Sequence, residues 1–422
     1  MSAASMHPAA HNATHNHAPH AARNNGLDTL RALAITLVFM YHYMVFVSHE
    51  PTFGWLSVVG WVGVDLFFVL SGYLIANQLL RQIMPQGAVS AGAQTNRGLP
   101  TDRQLSLTAF YARRALRTWP AFWLVLALYF LLPQLMGGKT PPPLWRFLSF
   151  TQNIGLQPGT AFSHAWSLCI EEQFYLLLPL VLLPGLRSGA RRGHAWLLLA
   201  GLSAIGVGAR IWLWQRYGRE SGGQIAGFYP NVYYSTLCRF DEFLPGIGVA
   251  LLKNGYPALW RRIMQHGHAL FGGALAASLA MLWGVFNYGY IDGYGYGFFM
   301  AAFGYSLLAW AFALLVMAAL CPSSPLARLR VPGAYRLALW SYSIYLSHKP
   351  LAFMINTFGQ QHGWSASLTL ICISVASIAV GGLMHYLLEA PFMRLRERHF
   401  PDNFVARNTT AAPLHHTKPG AS

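Results

Sequence analysis

Ten apolar segments of about twenty residues each, strung along one chain, leave few folds open to it. They run over roughly 29–48, 56–80, 115–136, 168–186, 195–216, 236–252, 268–287, 297–320, 337–357 and 366–389. A helix of about 20 apolar residues crosses the bilayer hydrocarbon. Within lipid only helices and closed barrels satisfy their own backbone. Just 10% of the 422 residues are charged, against about 25% in a soluble protein. The expected fold is all-α, a polytopic membrane helix bundle of about ten transmembrane helices.

Basic residues set its orientation. Arg81, Arg97, Arg103, Arg113, Arg114 and Arg117 follow the second segment, and Arg187, Arg191 and Arg192 the fourth. Lys253, Arg261 and Arg262 follow the sixth, Arg328, Arg330 and Arg336 the eighth, and Arg394, Arg396 and Arg398 the tenth. The intervening loops hold few, chiefly Lys139, Arg146, Arg216 and Arg219. The positive-inside rule then puts both termini in the cytosol. It also explains the excess of 29 Lys+Arg over 13 Asp+Glu better than a nucleic-acid partner does, so none is expected. The pattern reads as a membrane crossed several times, with the basic loops on its cytosolic side.

Residues 1–25, with His7, His11, His15, His17 and His20 irregularly spaced, read as a disordered cytosolic tail rather than a metal site. Residues 26–398 form the transmembrane domain and 399–422 a second disordered cytosolic tail. No short apolar core with a small-residue cleavage site precedes the first span, so no signal peptide is expected. Cys169, Cys238, Cys321 and Cys372 stand singly in apolar surroundings, and no CxxC spacing suggests metal or redox chemistry. Two loops are long: 82–108, polar and cytosolic, and 137–167, extracytoplasmic and aromatic, which either lies along the interface or dips back in. No internal repeat stands out, which weakens a transporter built from two similar halves.

About seven of the thirteen acids fall in or at the edge of these spans: Asp28, Asp65, Glu171, Glu172, Asp241, Glu242 and Glu389. A carboxylate facing lipid is costly, so these point into the bundle or a wet cavity. Helix-to-helix pairing is the plain reading for any one of them; seven together favour a functional cavity. Gly60, Gly63 and Gly72 around Asp65 permit close helix approach, and Ser71 can bond across it. His164 and Glu171 share a helix face if that stretch is helical throughout. Arg239 is the obvious counter-charge for the acids. Arg114 and Arg117, three apart, suit phosphate binding as well as plain topology signalling.

The sharpest pair is Arg31 and His42. Eleven helical steps make about three turns plus 20°, so the two share a face about 16 Å apart along the axis. An arginine at one rim and an imidazole near mid-membrane can bracket a long substrate with a polar head. An isolated His in a span most often bonds helices together, and His348 carries the same plain reading.

With these residues together, the chain resembles the acyltransferase 3 family of bacterial membrane O-acyltransferases. The resemblance rests on the Arg31-to-His42 spacing, Gly63-Val64-Asp65-Leu66-Phe67-Phe68-Val69-Leu70-Ser71-Gly72 and Arg113-Arg114-Ala115-Leu116-Arg117-Thr118-Trp119-Pro120. It continues through His164-Ala165-Trp166-Ser167-Leu168-Cys169-Ile170-Glu171-Glu172-Gln173-Phe174-Tyr175 and Arg239-Phe240-Asp241-Glu242-Phe243-Leu244-Pro245-Gly246. Ser341-Tyr342-Ser343-Ile344-Tyr345-Leu346-Ser347-His348 and Glu389-Ala390-Pro391-Phe392 complete it, in order over about 24–398. Cys169 departs from the serine common there.

The resemblance implies acyl transfer from cytosolic acyl-CoA, often acetyl-CoA, to a hydroxyl of a glycan, lipid-linked sugar or other acceptor. Acyl-CoA is then a co-substrate, and no permanently bound cofactor and no metal are expected; membrane lipid surrounds the domain. It makes Arg31 and His42 catalytic, with Arg31, Arg113, Arg114 and Arg117 against the CoA phosphates. Asp65, Ser71, Tyr73, His164, Trp166, Glu171, Glu172, Arg239, Asp241 and His348 become acceptor-binding or orienting candidates, with Asp65 or Glu172 placed to orient the imidazole. Glu389 is expected in a structural ion pair. His42 acts as general base or carries the acyl group itself; sequence leaves both open. Some relatives append an extracytoplasmic esterase-like domain, and this chain reads as the stand-alone type. The competing classes are a proton-coupled transporter or flippase, with the carboxylates and histidines as a relay, and a scaffold acting through its His-rich tail.

Overall fold

The structure, a computed structural model, describes residues 24–83, 103–187, 192–220 and 227–406. The His-rich tail before residue 24, most of the 82–108 loop and the chain beyond 406 lie outside the described residues. Eleven helices carry the argument: α1 Asn25–Tyr43, α2 Val62–Ile83, α3 Leu107–Leu131, α4 Trp166–Arg187, α5 Arg192–Tyr217 and α6 Leu244–Gly255. The others are α7 Gly267–Tyr288, α8 Tyr305–Leu320, α9 Ala334–Gln361, α10 Ala366–Met384 and α11 Ala390–His399. Each of the ten apolar segments is helical. Their starts are capped as the sequence allows: Asn24 Oδ1 accepts from Leu27 N, Ser106 Oγ from Ala109 N and Ser365 Oγ from Leu368 N.

Six stretches are long and apolar enough to cross a membrane: Asn25–Ser48, Val62–Arg81, Gly193–Tyr217, Gly267–Tyr288, Met300–Leu320 and Ala366–His399. The chain is thus an all-α, multi-pass membrane protein. Of the four segments outside this set, α3 opens on three arginines, α4 carries Glu171 and Glu172, α6 is 12 residues long, and α9 holds His348 and Lys349. The residues that depress their hydropathy are mostly those that line the interior.

α1 sits at the centre, packed against α2, α8 and α9. Its approach to α2 is close because Gly63 has no side chain: a Cβ there would lie 2.3 Å from the Ala34 carbonyl oxygen. The α2–α6 contact depends likewise on Gly246, whose Cβ would fall 2.1 Å from the Val69 carbonyl oxygen. Meanwhile Leu197, Ile371 and Val375 on the outer helices are more than half exposed, as apolar side chains facing lipid are.

Part of the 137–167 loop is buried in the bundle. Phe147, Phe162 and Trp166 are buried against Phe122 and Tyr129 of α3, and Asn153 Nδ2 donates to Tyr234 O at 3.0 Å and Thr236 Oγ1 at 2.9 Å. Three cysteines are buried and Cys372 half-buried, all as free thiols. The tail expected to be disordered from residue 399 is partly built: Phe404–Ala406 pairs antiparallel with Arg103–Leu105. Its unpaired strand groups find a partner in a segment the periodicity does not mark as a strand.

Candidate active site

α1 is continuous from Asn25 to Tyr43, so Arg31 and His42 stand on one rigid rod about 16 Å apart along its axis. Around Arg31 lies a cavity of about 410 Å³ lined by Arg31, Arg113, Arg114, Arg117 and Arg396, with Gln78, Ser71 and Glu171 among its other walls. The Nε atoms of Arg31 and Arg114 are buried without a protein partner. Arg114 Nη2 donates to Gln78 Oε1 at 3.2 Å. Arg113 is tied down, donating to the Phe400 carbonyl and lying 3.5 Å from Glu397; Arg396 also pairs with Glu397, at 2.5 Å. Ser71 Oγ donates to Glu171 at 2.8 Å. Five guanidiniums against one lining carboxylate make this a site for an anion, and unpaired buried donors are the groups a phosphate would satisfy.

His42 lies at the other end of the rod in a cluster with His348, His164 and Tyr345. His42 Nδ1 and His348 Nε2 are 2.7 Å apart, with the ring planes within 5°. The tautomers follow from the next bond. His348 Nδ1 lies 3.0 Å from the Ile344 carbonyl oxygen, which can only accept, so Nδ1 carries the proton. In a neutral ring Nε2 of His348 is then an acceptor, and His42 Nδ1 donates to it. That leaves His42 Nε2 with a free lone pair. By the same reasoning His164 Nε2 donates to the Leu346 carbonyl at 3.2 Å, while its Nδ1 is buried without a partner.

Tyr345 joins the two regions. With Ser167 it lines the arginine cavity, and its ring centroid is 6.4 Å from that of His42. Its hydroxyl donates to the His164 carbonyl at 2.5 Å and lies 2.7 Å from Ser167 Oγ. Since that hydroxyl has a single proton, Ser167 is the donor to it. Tyr345 is thus shared between the lining of the basic cavity and the histidine cluster, while His42 itself is not among the residues that line the cavity.

The other expected residues divide elsewhere. Asp65 accepts from Arg239 at 3.0 Å, and Arg239 also pairs with Glu242. The guanidinium lies over Trp166, Tyr233 and Tyr305, at 5.1, 4.8 and 4.3 Å from the ring centroids. Asp241 is bound by Arg210 at 2.6 and 2.9 Å. Glu172 accepts from Thr118 Oγ1 at 2.7 Å and Trp119 Nε1 at 3.2 Å. Tyr73 accepts from Lys253 at 3.0 Å, and Glu389 accepts from Ser343 and lies 2.9 Å from His385 Nδ1. Neither Asp65 nor Glu172 touches His42; the ring's partner is His348. Arg210, Arg396 and Tyr345 are absent from the sequence reading of the site. Arg210 had a signal, a lone cation inside the fifth apolar segment, and Arg396 and Tyr345 had none beyond topology and a span.

The comparisons with known proteins agree with this architecture. The sequence profile of the acyltransferase 3 family, described as an acyltransferase domain, matches residues 24–386; the chain belongs to that family. It is similar to the peptidoglycan O-acetyltransferase OatA of Listeria monocytogenes, 26% identical over 393 residues, 87% of this chain and 55% of the relative. A Bacillus subtilis protein, YrhL, provisionally named a peptidoglycan O-acetyltransferase, is 28% identical over 406 residues, covering 89% of this chain and 56% of its own. A Staphylococcus aureus protein provisionally named an O-acetyltransferase is 24% identical over 393 residues, 87% and 57% of the two chains. The chain spans little more than half the length of these curated relatives. No solved structure matches it.

Proposed function

We propose that this protein is a membrane O-acyltransferase that moves an acyl group, acetyl being the leading candidate, from acyl-CoA to a hydroxyl of a glycan or glycolipid outside the cytosol. The observation that carries the reading is the pairing on α1: a basic cavity with unpaired buried guanidinium nitrogens at Arg31, and a histidine held in one tautomer about 16 Å further along. The family and the names of the relatives support the class of reaction. They do not favour a transporter or flippase.

In this reading the CoA phosphates rest against Arg31, Arg114 and Arg117, with Arg113 and Arg396 held in place by Glu397. The pantetheine arm lies along α1 toward Tyr345, and the thioester passes that phenol to meet His42. His42 Nε2 takes the proton of the acceptor hydroxyl as its oxygen attacks the thioester carbonyl. A C–O bond forms, the C–S bond breaks, and the proton passes from the imidazolium to the departing thiolate. His348 keeps His42 Nδ1–H occupied, so the lone pair faces the reaction.

The test is transfer from radiolabelled acetyl-CoA to a cell-envelope glycan fraction by the purified protein in detergent. Acyl-ester product from the native chain, and none from a normally folded His42→Ala variant, supports the proposal. Equal product from both removes the assigned base.

A further inference from the structure

A second cavity, of about 520 Å³, opens at the end of the bundle opposite the arginines. It is built where α1 ends, where α7 turns toward α8, and from the 228–233 segment. Its wall carries six tyrosines: Tyr41, Tyr229, Tyr233, Tyr290, Tyr296 and Tyr305, with Trp61 and Phe228 beside them. Among the described residues no charged side chain lines it; the Arg239 guanidinium, which lies over the Tyr233 and Tyr305 rings, is paired with Asp65 and Glu242. The wall is tied to the catalytic cluster, because Tyr41 precedes His42 and their rings lie 5.7 Å apart. Tyr233 packs 5.0 Å from Trp166 and 5.9 Å from Trp61, so the ring set continues into the core beneath it. Phe228 and Tyr296 stack at 3.5 Å, and the Tyr296 to Tyr290 contact at 5.5 Å carries the wall out to Tyr290, 48% exposed at the mouth.

From this we infer that the tyrosine-lined cavity is the acceptor subsite and that it selects an uncharged sugar. The inference rests on the acyltransferase reading above and deepens it. The volume is in the range of about 300–1,000 Å³ usual for small-ligand sites. Aromatic faces pack against the C–H faces of a sugar ring, and phenol hydroxyls both donate and accept toward sugar hydroxyls. A sugar phosphate or uronate would enter an uncharged wall with no partner for its anion, and burying an unpaired charge is far costlier than burying a hydroxyl. A purely isoprenoid occupant would offer these phenols no hydrogen bonds beyond those that Tyr229 already makes with Tyr41 and Tyr296. Of the acids expected to bind the acceptor, Asp65 and Asp241 are paired with buried Arg239 and Arg210, Glu172 accepts from Thr118 and Trp119, and Glu171 lines the arginine cavity. None of them lines the tyrosine cavity, so none selects for a cationic sugar there.

The experiment is equilibrium binding to the purified full chain in detergent, without acyl-CoA. The probes are a panel of neutral oligosaccharides led by chitotetraose, a tetragalacturonate as the anionic counterpart, and geranylgeraniol as the isoprenoid. The expected result is saturable binding of a neutral oligosaccharide, weakened at least tenfold in Tyr229→Ala and in Tyr296→Ala, and not displaced by tetragalacturonate. Retained acetyl-CoA binding by the same variants shows that the bundle still folds. The inference is overturned if tetragalacturonate binds as well as the neutral probes, if only geranylgeraniol binds, if no neutral oligosaccharide binds, or if both alanine variants bind undiminished. Sugar binding without any acyl transfer would sink the enzymatic reading and leave the sugar site standing. Transfer without sugar binding would do the reverse.

Discussion

The two cavities of this protein differ in almost every respect that sequence composition records, and each has one lining ring near His42: Tyr345 in the first, Tyr41 in the second. The first is walled by Arg31, Arg113, Arg114, Arg117 and Arg396, the second by tyrosines with no charged side chain among the described lining residues. In a membrane interior the contrast is instructive. Charge is tolerated only when paired or when it faces water or a charged ligand, so the unpaired nitrogens of Arg31 and Arg114 announce an anion. Phenols carry no such cost, and a chain can place six of them around an opening without a counter-charge. In the proposed function, electrostatics thus divides the labour between a donor end and an acceptor end before any chemistry occurs.

His42→Ala breaks the connection between the two ends and produces the largest loss. A positioned general base contributes roughly 10²- to 10⁴-fold, so the transfer rate should fall by about 10³ while acetyl-CoA and neutral sugar binding both persist. Single-turnover transfer, measured beside equilibrium binding of each ligand, checks this; loss of either binding would place His42 in the scaffold instead.

Asp241→Asn acts on both ends at once. It removes the carboxylate that pairs with fully buried Arg210, and a buried charge stripped of its partner costs about 3–5 kcal/mol. A clear fall in thermal stability by tryptophan fluorescence, with both ligands bound more weakly, is the expected result. Native-like melting would mean that Arg210 finds another partner.

Arg114→Ala separates the ends. Removing one charge-assisted contact to a phosphate should raise the KM for acetyl-CoA about 10- to 100-fold, which is about 1.4–2.8 kcal/mol, with acceptor KM within twofold. Arg114→Lys should recover only part, because an ammonium lacks the planar fork. Steady-state kinetics with each substrate varied in turn distinguishes this from a general defect.

His348 carries a smaller, positional effect. In His348→Gln the side-chain oxygen can still accept from His42 Nδ1, whereas His348→Ala leaves that donor free and the tautomer unfixed. Transfer should fall about tenfold more in the alanine variant than in the glutamine one. Equal activities would show that the hydrogen bond to His42 contributes nothing.

How much of this was legible beforehand varies with the kind of signal. The all-α, multi-pass character follows from the apolar runs, and the close α1–α2 approach from Gly60 and Gly63 beside Asp65. Arg31 and His42 share an axis because their spacing is a property of one helix. Which helices become neighbours is a tertiary fact, however, and the partners depend on it. The His348 to His42 bond joins residues 306 positions apart, and nothing local points from one to the other. Asp65 and Glu172 were reasonable candidates to orient the imidazole by residue type. The fold instead gives Asp65 to Arg239 and Glu172 to Thr118 and Trp119. The tyrosine cavity escaped for a similar reason: Tyr41, the 229–233 segment and Tyr290–Tyr305 are ordinary interface residues until the chain brings them together.

Ionic strength offers the finest test of the contrast, and it needs no substitution. Mobile ions screen charges over about 10 Å at 0.1 M and about 3 Å at 1 M. The mouth of the arginine cavity faces solvent near exposed Glu397, so its attraction for a polyanion is partly screened. Raising the salt from 0.1 to 1 M should therefore raise the KM for acetyl-CoA a few-fold. The KM for a neutral oligosaccharide should hold steady, because no charge steers it. A parallel rise in both would mean that salt acts on the bundle as a whole. A rise for the sugar alone would reverse the assignment of the two cavities.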